Sequence, residues 1–263
     1  MWEYFPHHHE NKMGHEGDVE LARKNYLENK TNNLDFLLYK RYNWMNKYIK
    51  KNQKVIELGS GAGFLQFYLN QKIILSDVIK REYIDKKIDA MDIQLSDNSV
   101  DVFICSHMIH HVPKPTVFLK SLEKKLVPGG LILVQEINTS FFMRLILYIM
   151  RHEGYSYKRN VYDESTVSND PLDPWSANCA IPEMLFKDKT KFETAVPLKI
   201  IYNKLNEFLI FPLSGGVIAK SKTIVLPIII LKAVDIFDRL VISVFPRLVA
   251  FGRSVVLKKI VEV

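Results

Sequence analysis

The stretch Val55–Phe64, with the sequence VIELGSGAGF, decides the fold of this chain. An apolar start runs into glycines at alternate positions, which predicts a strand, a glycine-rich turn and a helix over residues 63–70. Glycine lacks a Cβ and adopts positive φ readily, so such a turn lets backbone N–H groups approach a ligand closely. The spacing is E-x-G-x-G-x-G, and Phe64 stands where a dinucleotide-binding fingerprint needs its last glycine or alanine.

Alternating strands and helices extend from this turn along the chain. The near-continuous apolar run Val100–Ser106 predicts a strand that is buried on both faces of a parallel sheet. Such alternation indicates βαβ units with right-handed crossovers. The predicted strands cover residues 54–58, 73–76, 88–90, 100–106, 131–136, 200–211 and 254–260; the main predicted helices cover residues 34–51, 116–126, 141–150 and 227–250, and Pro128-Gly129-Gly130 is a predicted turn.

Polar residues follow several of these strands. Asp77 lies 20 residues after Glu57, at the end of the second strand, where a carboxylate in a doubly wound sheet can accept both hydroxyls of a ribose. Asp92 and Ile93 follow the third strand. The segment SHMIHHVP begins at Ser106 after the fourth strand, and LVPGGLILV at residues 126–134 contains the fifth.

These five segments, in this order, resemble the class I methyltransferases that depend on S-adenosyl-L-methionine (SAM), in particular the type 11 group related to ubiquinone and menaquinone biosynthesis. The resemblance implies an α/β fold with a doubly wound, seven-stranded Rossmann-like sheet, an antiparallel last strand and a helical C-terminal cap. It implies SAM as cofactor and S-adenosyl-L-homocysteine as product. The segment after Asp92 lacks the family's Pro and Phe. The implied cofactor-binding residues are Glu57, Gly59, Ser60, Gly61, Gly63, Asp77, Val78, Asp92, Ile93, Ser106, His107 and Met108.

Two adjacent histidines are the candidate catalytic residues. Methyl transfer from a sulfonium needs orientation of donor and acceptor above all, and a hydroxyl acceptor also benefits from a general base. His110 and His111 follow the fourth strand and are candidates for that base; the alternative is that they are hydrogen-bonded structural histidines. His152 and Tyr155 are further candidates. No metal site is expected, because His7-His8-His9 lacks cysteine or acidic partners at ligand spacing.

The predicted organisation has four parts. Residues 1–30 form a polar lead-in and residues 31–150 the SAM-binding core. Residues 151–211 hold an acceptor-pocket insertion and the sixth strand, and residues 212–263 an amphipathic helical segment and the last strand. Two cysteines and no apolar signal-like start favour a cytoplasmic protein.

The C-terminal third is basic and apolar. Residues 187–263 carry 13 Lys and Arg against six Asp and Glu, and so hold the whole net charge of +7. The helix expected over residues 227–251 has one narrow polar stripe and a wide apolar arc. Burial against the protein is the first explanation of that arc, a homodimer interface the second, and peripheral membrane contact through residues 223–251 the third.

The sequence predicts methyl transfer from SAM to a small-molecule, lipid-linked or glycan-linked acceptor, at oxygen. The alternatives are C- or O-methylation of a quinone or isoprenoid intermediate and a SAM-binding protein without turnover. Nucleic acid is not an expected partner, because the sequence has no N/D-P-P-Y/F element and no basic stripe interleaved with aromatic residues.

Overall fold

The computed structural model describes residues 3–5, 18–151, 153–218 and 221–260. Seven strands form one sheet: β1 Val55–Leu58, β2 Ile74–Asp77, β3 Lys86–Lys87, β4 Val100–Ser106, β5 Leu126–Ile137, β6 Leu198–Asn206 and β7 Gly252–Lys259. Their order is β3-β2-β1-β4-β5-β7-β6. β1 to β5 pair in parallel, whereas β7 is antiparallel to both of its neighbours. The doubly wound sheet with an antiparallel last strand is confirmed.

Helices cover both faces of the sheet. In the described residues they are α1 Val19–Asn29, α2 Asn32–Tyr42, α3 Pro115–Lys125, α4 Phe141–Met150, α5 Ile181–Phe186, α6 Lys189–Ala195, α7 Ile210–Ser214, α8 Ile228–Val244 and α9 Pro246–Val249. Side chains of β4 alternate between the two cores, with Phe103 facing α3, α5 and α6 and Val102 facing α1 and α2. Burial on both faces accounts for the unbroken apolar run of this strand.

Several predicted elements needed correction near the glycine turn. The helix expected over residues 63–70 is a single 3₁₀ turn at Leu65–Phe67. Gly63 has φ +66° and is not helical, so helical backbone angles begin only at Phe64. The third strand lies at residues 86–87 rather than 88–90 and pairs with the end of β2.

The fifth and sixth strands also differ from expectation. β5 begins at Leu126, and Pro128-Gly129-Gly130 lies within it as an irregularity that shifts the register with β4, rather than ending the helix in a free turn. The sixth strand ends at Asn206 rather than at residue 211, and a short turn leads from it to α7. The helix expected over residues 227–250 is broken at Pro246, since α8 ends at Val244 and α9 begins at Pro246.

The first explanation of the C-terminal apolar arc is wrong. α8 buries only Leu231, Asp238 and Ile242. The opposite face exposes large apolar side chains, among them Ile229 at 73% and Leu240 at 63% of their accessible surface. The inward-facing residues include two acids that anchor the helix. Asp238 accepts hydrogen bonds from the backbone N–H groups of residues 208, 209 and 210, and Asp235 pairs with Lys40 at 2.9 Å.

One buried ion pair joins α2 to the end of β6. Arg41 Nε and Nη2 donate to the two carboxylate oxygens of Glu207 at 2.9 and 2.6 Å, and both side chains are 5% exposed. We expect Arg41→Met to lower the free energy of unfolding by about 3–5 kcal/mol, because Glu207 would remain as an uncompensated buried charge. Urea denaturation followed by circular dichroism measures the effect.

The matched control for this experiment is Lys120→Met, which breaks the exposed pair with Glu164 at 2.6 Å. Its cost should stay below about 1 kcal/mol, because solvent screens exposed pairs. Equal effects of the two substitutions would contradict the structural role of the Arg41 pair.

Candidate active site

A cavity of about 750 Å³ opens at the carboxyl ends of the strands. This volume lies toward the upper end of the range of about 300–1,000 Å³ for small-molecule sites. One end is formed by the glycine turn after β1 and by Asp77. An apolar part of the lining is formed by α4 and the residues that pack with it, among them Met143, Leu147, Phe211 and Phe251.

The glycine turn needs its glycines for two different reasons. Gly59, Gly61 and Gly63 have φ values of +66°, +49° and +66°. A Cβ at Gly59 would lie 2.9 Å from the Cβ of Met108, so the close approach of two loops excludes a side chain there. A Cβ at Gly61 would meet no atom within 4 Å. The backbone at Gly61 therefore borders open space.

Asp77 and Ser60 brace this turn. Asp77 Oδ2 accepts from Gly61 N–H at 2.9 Å, and its Oδ1 accepts from Ile79 N–H at 2.9 Å. The Ser60 hydroxyl accepts from Ser76 N–H at 3.1 Å, so this side chain holds β2 against the turn. Asp77 is 8% exposed and lines the cavity beside Val78.

Glu57 is a buried acid in the lining of the cavity. Its Oε2 has no hydrogen-bond partner among the described residues. Burial raises the pKa of the Glu57 carboxyl to about 8; a hydrogen bond from Ser60 acts in the opposite sense, and the charge of Asp77 adds to the rise. A cationic group of a ligand would supply the missing partner and favour the ionised carboxylate.

The two residues predicted after the third strand do not line the cavity. Asp92 is exposed and hydrogen-bonded by Gln94, and Ile93 is buried in the core. The wall is formed by Asp89, Ala90 and Met91 instead. β3 ends at Lys87, earlier than the predicted third strand, so residues 89–91 are the ones that follow it at the cavity.

The segment after β4 supplies the next part of the wall. Ser106, His107 and Met108 all line the cavity. His107 has φ +50°, and its Nε2 lacks a hydrogen-bond partner within the described part of the chain. Burial, together with the nearby charge of Arg41, holds the pKa of His107 well below its ordinary value.

His110 is held by a carboxylate that the sequence did not reveal. Glu136, at the end of β5, accepts from the N–H groups of Met108 at 2.8 Å and Ile109 at 2.6 Å through Oε1. Its Oε2 lies 2.6 Å from His110 Nδ1. Burial alone would lower the pKa of His110, but Glu136 and Glu153 outweigh it and raise the pKa to about 10. His110 is therefore protonated at neutral pH.

His111 is in the opposite state. Burial and the positive charge of His110 lower its pKa to about 4. Its Nδ1 lies 3.2 Å from the carbonyl oxygen of Ser176, which fixes the Nδ1–H tautomer of the neutral ring. The Nε2 atom then carries a lone pair and lies 3.7 Å from Glu153 Oε1. Both histidines line the cavity.

Glu153 joins the two histidines to a buried thiol. It lies 3.6 Å from His110 Nε2, and Cys179 donates to it at 3.1 Å. Within the described ranges, His110, Glu153 and Cys179 are the one group whose ligand atoms could hold a metal ion, all lying within 4.8 Å of one another. Burial raises the pKa of the Cys179 thiol well above its ordinary value, so the thiol acts here as a hydrogen-bond donor.

The remaining candidates fall elsewhere. His7-His8-His9 and His152 lie outside the described residues. Tyr155 is fully buried beside Tyr4 rather than on the cavity wall. Glu136 could have been predicted from its place near the end of the fifth strand, because ligands bind at the carboxyl ends of parallel strands. No sequence signal marks Glu153, which lies in an irregular segment.

Residues 28–170 match the family model described as a methyltransferase domain, which covers more than half of the chain. The chain belongs to this methyltransferase family. It is a SAM-dependent enzyme of the class I fold, and SAM is its cofactor. The more specific type 11 grouping stays a prediction.

Solved methyltransferase structures show distant similarity. A SAM-dependent methyltransferase from Archaeoglobus fulgidus is 16% identical, with 96% of this chain and 100% of that chain covered and a TM-score of 0.47. A SAM-dependent methyltransferase from Methanosarcina mazei is 13% identical, with 84% of this chain and 99% of that chain covered and a TM-score of 0.47. No curated protein matches the sequence. The assignment of this methyltransferase therefore rests on the family match.

The opposite pKa shifts of the two histidines predict opposite pH effects on stability. Folding raises the pKa of His110 from 6.5 to about 10, so its contribution is complete below pH 6.5 and is lost as pH rises toward 10. Folding lowers the pKa of His111 from 6.5 to about 4, so its contribution is complete above pH 6.5 and is lost as pH falls toward 4.

Urea unfolding across this pH range tests both effects. His110→Gln should remove part of the alkaline loss of stability seen in the wild type, whereas His111→Gln, the matched control, should alter only the acid side. Identical pH profiles for the two variants would contradict the assigned charge states.

Proposed function

We propose that this methyltransferase methylates a hydroxyl group on a lipid-linked acceptor, and that the two ends of the cavity bind the two substrates. The observation that carries the proposal is the continuity of the cavity. The glycine turn lines what we take as its polar end and α4 its apolar end, and the same cavity is also lined by His110, His111 and Glu153.

The polar end suits SAM, which supplies an electrophilic methyl group on a sulfonium. Open space beside Gly61 favours close approach of a ligand to the backbone. The unpartnered Glu57 oxygen suits the cationic part of the cofactor, and Asp77 retains lone pairs for ribose hydroxyls. Asp89, Ala90 and Met91, rather than Asp92 and Ile93, are our proposed wall for the base.

His111 is the proposed general base. Its lowered pKa keeps Nε2 unprotonated at neutral pH, and the Ser176 carbonyl fixes the ring orientation. When Nε2 accepts the acceptor's hydroxyl proton, the Glu153 carboxylate at 3.7 Å stabilises the resulting imidazolium. His110, already protonated and bound to Glu136, is a positioning residue that holds this segment in place.

The apolar end indicates the class of acceptor. Met143, Ile146, Leu147 and Met150 line it from one face of α4. Such a wall offers little to a free sugar but binds a hydrocarbon chain through burial of apolar surface. Residues 170–175, from the predicted acceptor-pocket insertion, also line the cavity. An isoprenoid quinone intermediate joins a ring hydroxyl to an apolar tail in the same way and is the second candidate.

Cofactor binding can be tested by calorimetry with S-adenosyl-L-homocysteine. We expect Asp77→Asn to weaken binding by roughly ten- to a hundredfold, because hydrogen bonds to a charged group contribute about 1.5–3 kcal/mol. The control is Asp97→Asn at an exposed pair with Lys125, which should leave affinity unchanged. Failure of the wild type to bind would overturn the cofactor site, and an unchanged Asp77→Asn affinity would overturn the role of Asp77.

The general base is tested by methyl transfer from isotope-labelled SAM to a lipid extract, with mass spectrometry of the product. His111→Asn should lower the rate by roughly 10²–10⁴-fold while cofactor affinity stays unchanged, because proton transfer contributes about that much. The wild-type rate should decrease at pH values below the pKa of the base, and the variant should not show this decrease. A labelled product without a lipid tail would contradict the acceptor class, and full activity of His111→Asn would contradict the base.

A further inference from the structure

The exposed face of α8 is the most apolar surface of that helix. Ile229, Leu240 and Val244 are 73%, 63% and 64% exposed, whereas Leu231 and Ile242 are buried on the opposite side. The exposed positions recur at helical spacing and form one continuous stripe along the axis. A helix of a globular protein ordinarily turns such a stripe toward the core. Here the stripe faces outward.

The same surface continues over the neighbouring helices. α9 packs against both α8 and α4. Phe245 and Leu248 are exposed around α9, and Phe141, Tyr148 and Ile149 are exposed on α4. We call the exposed apolar side chains of these three helices the apolar platform. It comprises Phe141, Phe142, Leu145, Tyr148, Ile149, Met150, Ile228, Ile229, Ile230, Ile236, Phe237, Leu240, Val244, Phe245 and Leu248.

The charges around the apolar platform are predominantly positive. Lys232, Arg239 and Arg247 are exposed on α8 and α9. Of the two acids of α8, Asp235 offsets Arg239 only in part, because it is shared with Lys40, and Asp238 faces inward. Asp238 is 2% exposed and bound to backbone N–H groups, and Asp235 is held by Lys40 at 2.9 Å and by Arg239 at 3.4 Å. An occupant of this surface should therefore be both apolar and anionic.

An anionic bilayer satisfies both conditions better than a second copy of the chain. A two-fold dimer through this surface would bring the same cations of the two copies near one another. An anionic leaflet attracts each nearby Lys or Arg with about 1 kcal/mol. Apolar and aromatic side chains on an interfacial helix enter the boundary between headgroups and acyl chains. No helix of the described residues is long and apolar enough to span a bilayer, so such contact would be peripheral.

The apolar platform also lies next to the cavity. Met143 and Leu147 on the inner side of α4 line the cavity, while Phe141, Tyr148 and Ile149 on its outer side belong to the platform. Only the thickness of one helix separates the two surfaces. An acceptor chain that passes around α4 therefore crosses only a short distance between the apolar platform and the cavity.

We propose that the apolar platform docks on the surface of an anionic lipid bilayer and takes the acceptor's hydrocarbon chain from it along α4. Docking stands on the surface alone, whereas delivery of the acceptor rests on the proposed function. Ile229→Glu/Leu240→Glu should remove docking, because each substitution places a charge where lipid contact requires an apolar side chain.

Flotation with phosphatidylcholine vesicles, with and without phosphatidylglycerol, tests docking of the full chain. We expect the wild type to float with the anionic vesicles and to be released by salt, which screens the basic residues. The partition coefficient of the double variant into anionic vesicles should be at least roughly tenfold lower than that of the wild type. The matched control is Leu21→Glu/Leu27→Glu on α1, where both side chains are more than half exposed, at 52% and 57%. This control should float like the wild type.

Two further measurements, of affinity for S-adenosyl-L-homocysteine and of the oligomeric state, distinguish the reasons for which docking could fail. Affinity for S-adenosyl-L-homocysteine should be the same in all three proteins, which shows that the variants fold. Absence of the wild type from the floating fraction, or equal flotation of the double variant, would overturn docking. A concentration-dependent dimer that the double variant loses, without flotation, would assign the platform to a second copy. Flotation without transfer to any lipid would leave docking intact and count against the proposed acceptor.

Discussion

The reversal of strand order at β1 positions the site residues that follow the parallel strands. β1 pairs with β2 on one side and with β4 on the other, so the chain segments that follow these strands separate and leave a crevice between them. Gly59 follows β1, Asp77 ends β2, Ser106 ends β4, and Glu136 lies near the end of β5. None of these residues is near another in sequence. The parallel sheet brings them to one edge, at the carboxyl ends of its strands.

Three acids at this edge are buried with different degrees of hydrogen bonding. Glu136 has its oxygens bound by two backbone N–H groups and by His110, and so fixes the chain after β4. Asp77 is shared between the glycine turn and the cavity. Glu57 has an unpartnered oxygen and a pKa raised to about 8. A buried unpaired oxygen destabilises the protein unless something binds it. The acids with hydrogen bonds, Glu136 and Asp77, therefore hold backbone segments in place. The acid with an unsatisfied oxygen, Glu57, lies where we expect a cationic ligand.

Local patterns predicted the interior of the sheet better than the site around it. The apolar run of β4 and the helix α4 have the bounds that the sequence predicts, because burial on both faces and a strong amphipathic pattern are local properties. The turn after β1 contains the predicted glycines, but their positive φ values shorten the expected helix to one 3₁₀ turn. A shift of a two-residue strand exchanged Asp92 for Asp89 on the cavity wall. Glu153 reaches the histidines only through tertiary folding.

The orientation of α8 follows from its acids rather than from its apolar residues. Periodicity shows that a helix has an apolar arc, but the same arc results whether it faces protein, lipid or a second chain. Asp238 meets three backbone N–H groups at the start of α7, and Asp235 meets Lys40 on α2. Turning the helix by half a turn would bury apolar side chains but would break all of these interactions, and each hydrogen bond to the buried Asp238 stabilises the fold by about 1.5–3 kcal/mol. Polar anchors on the inner face thus keep the apolar face outward, on the side of the molecule where α4 borders the cavity.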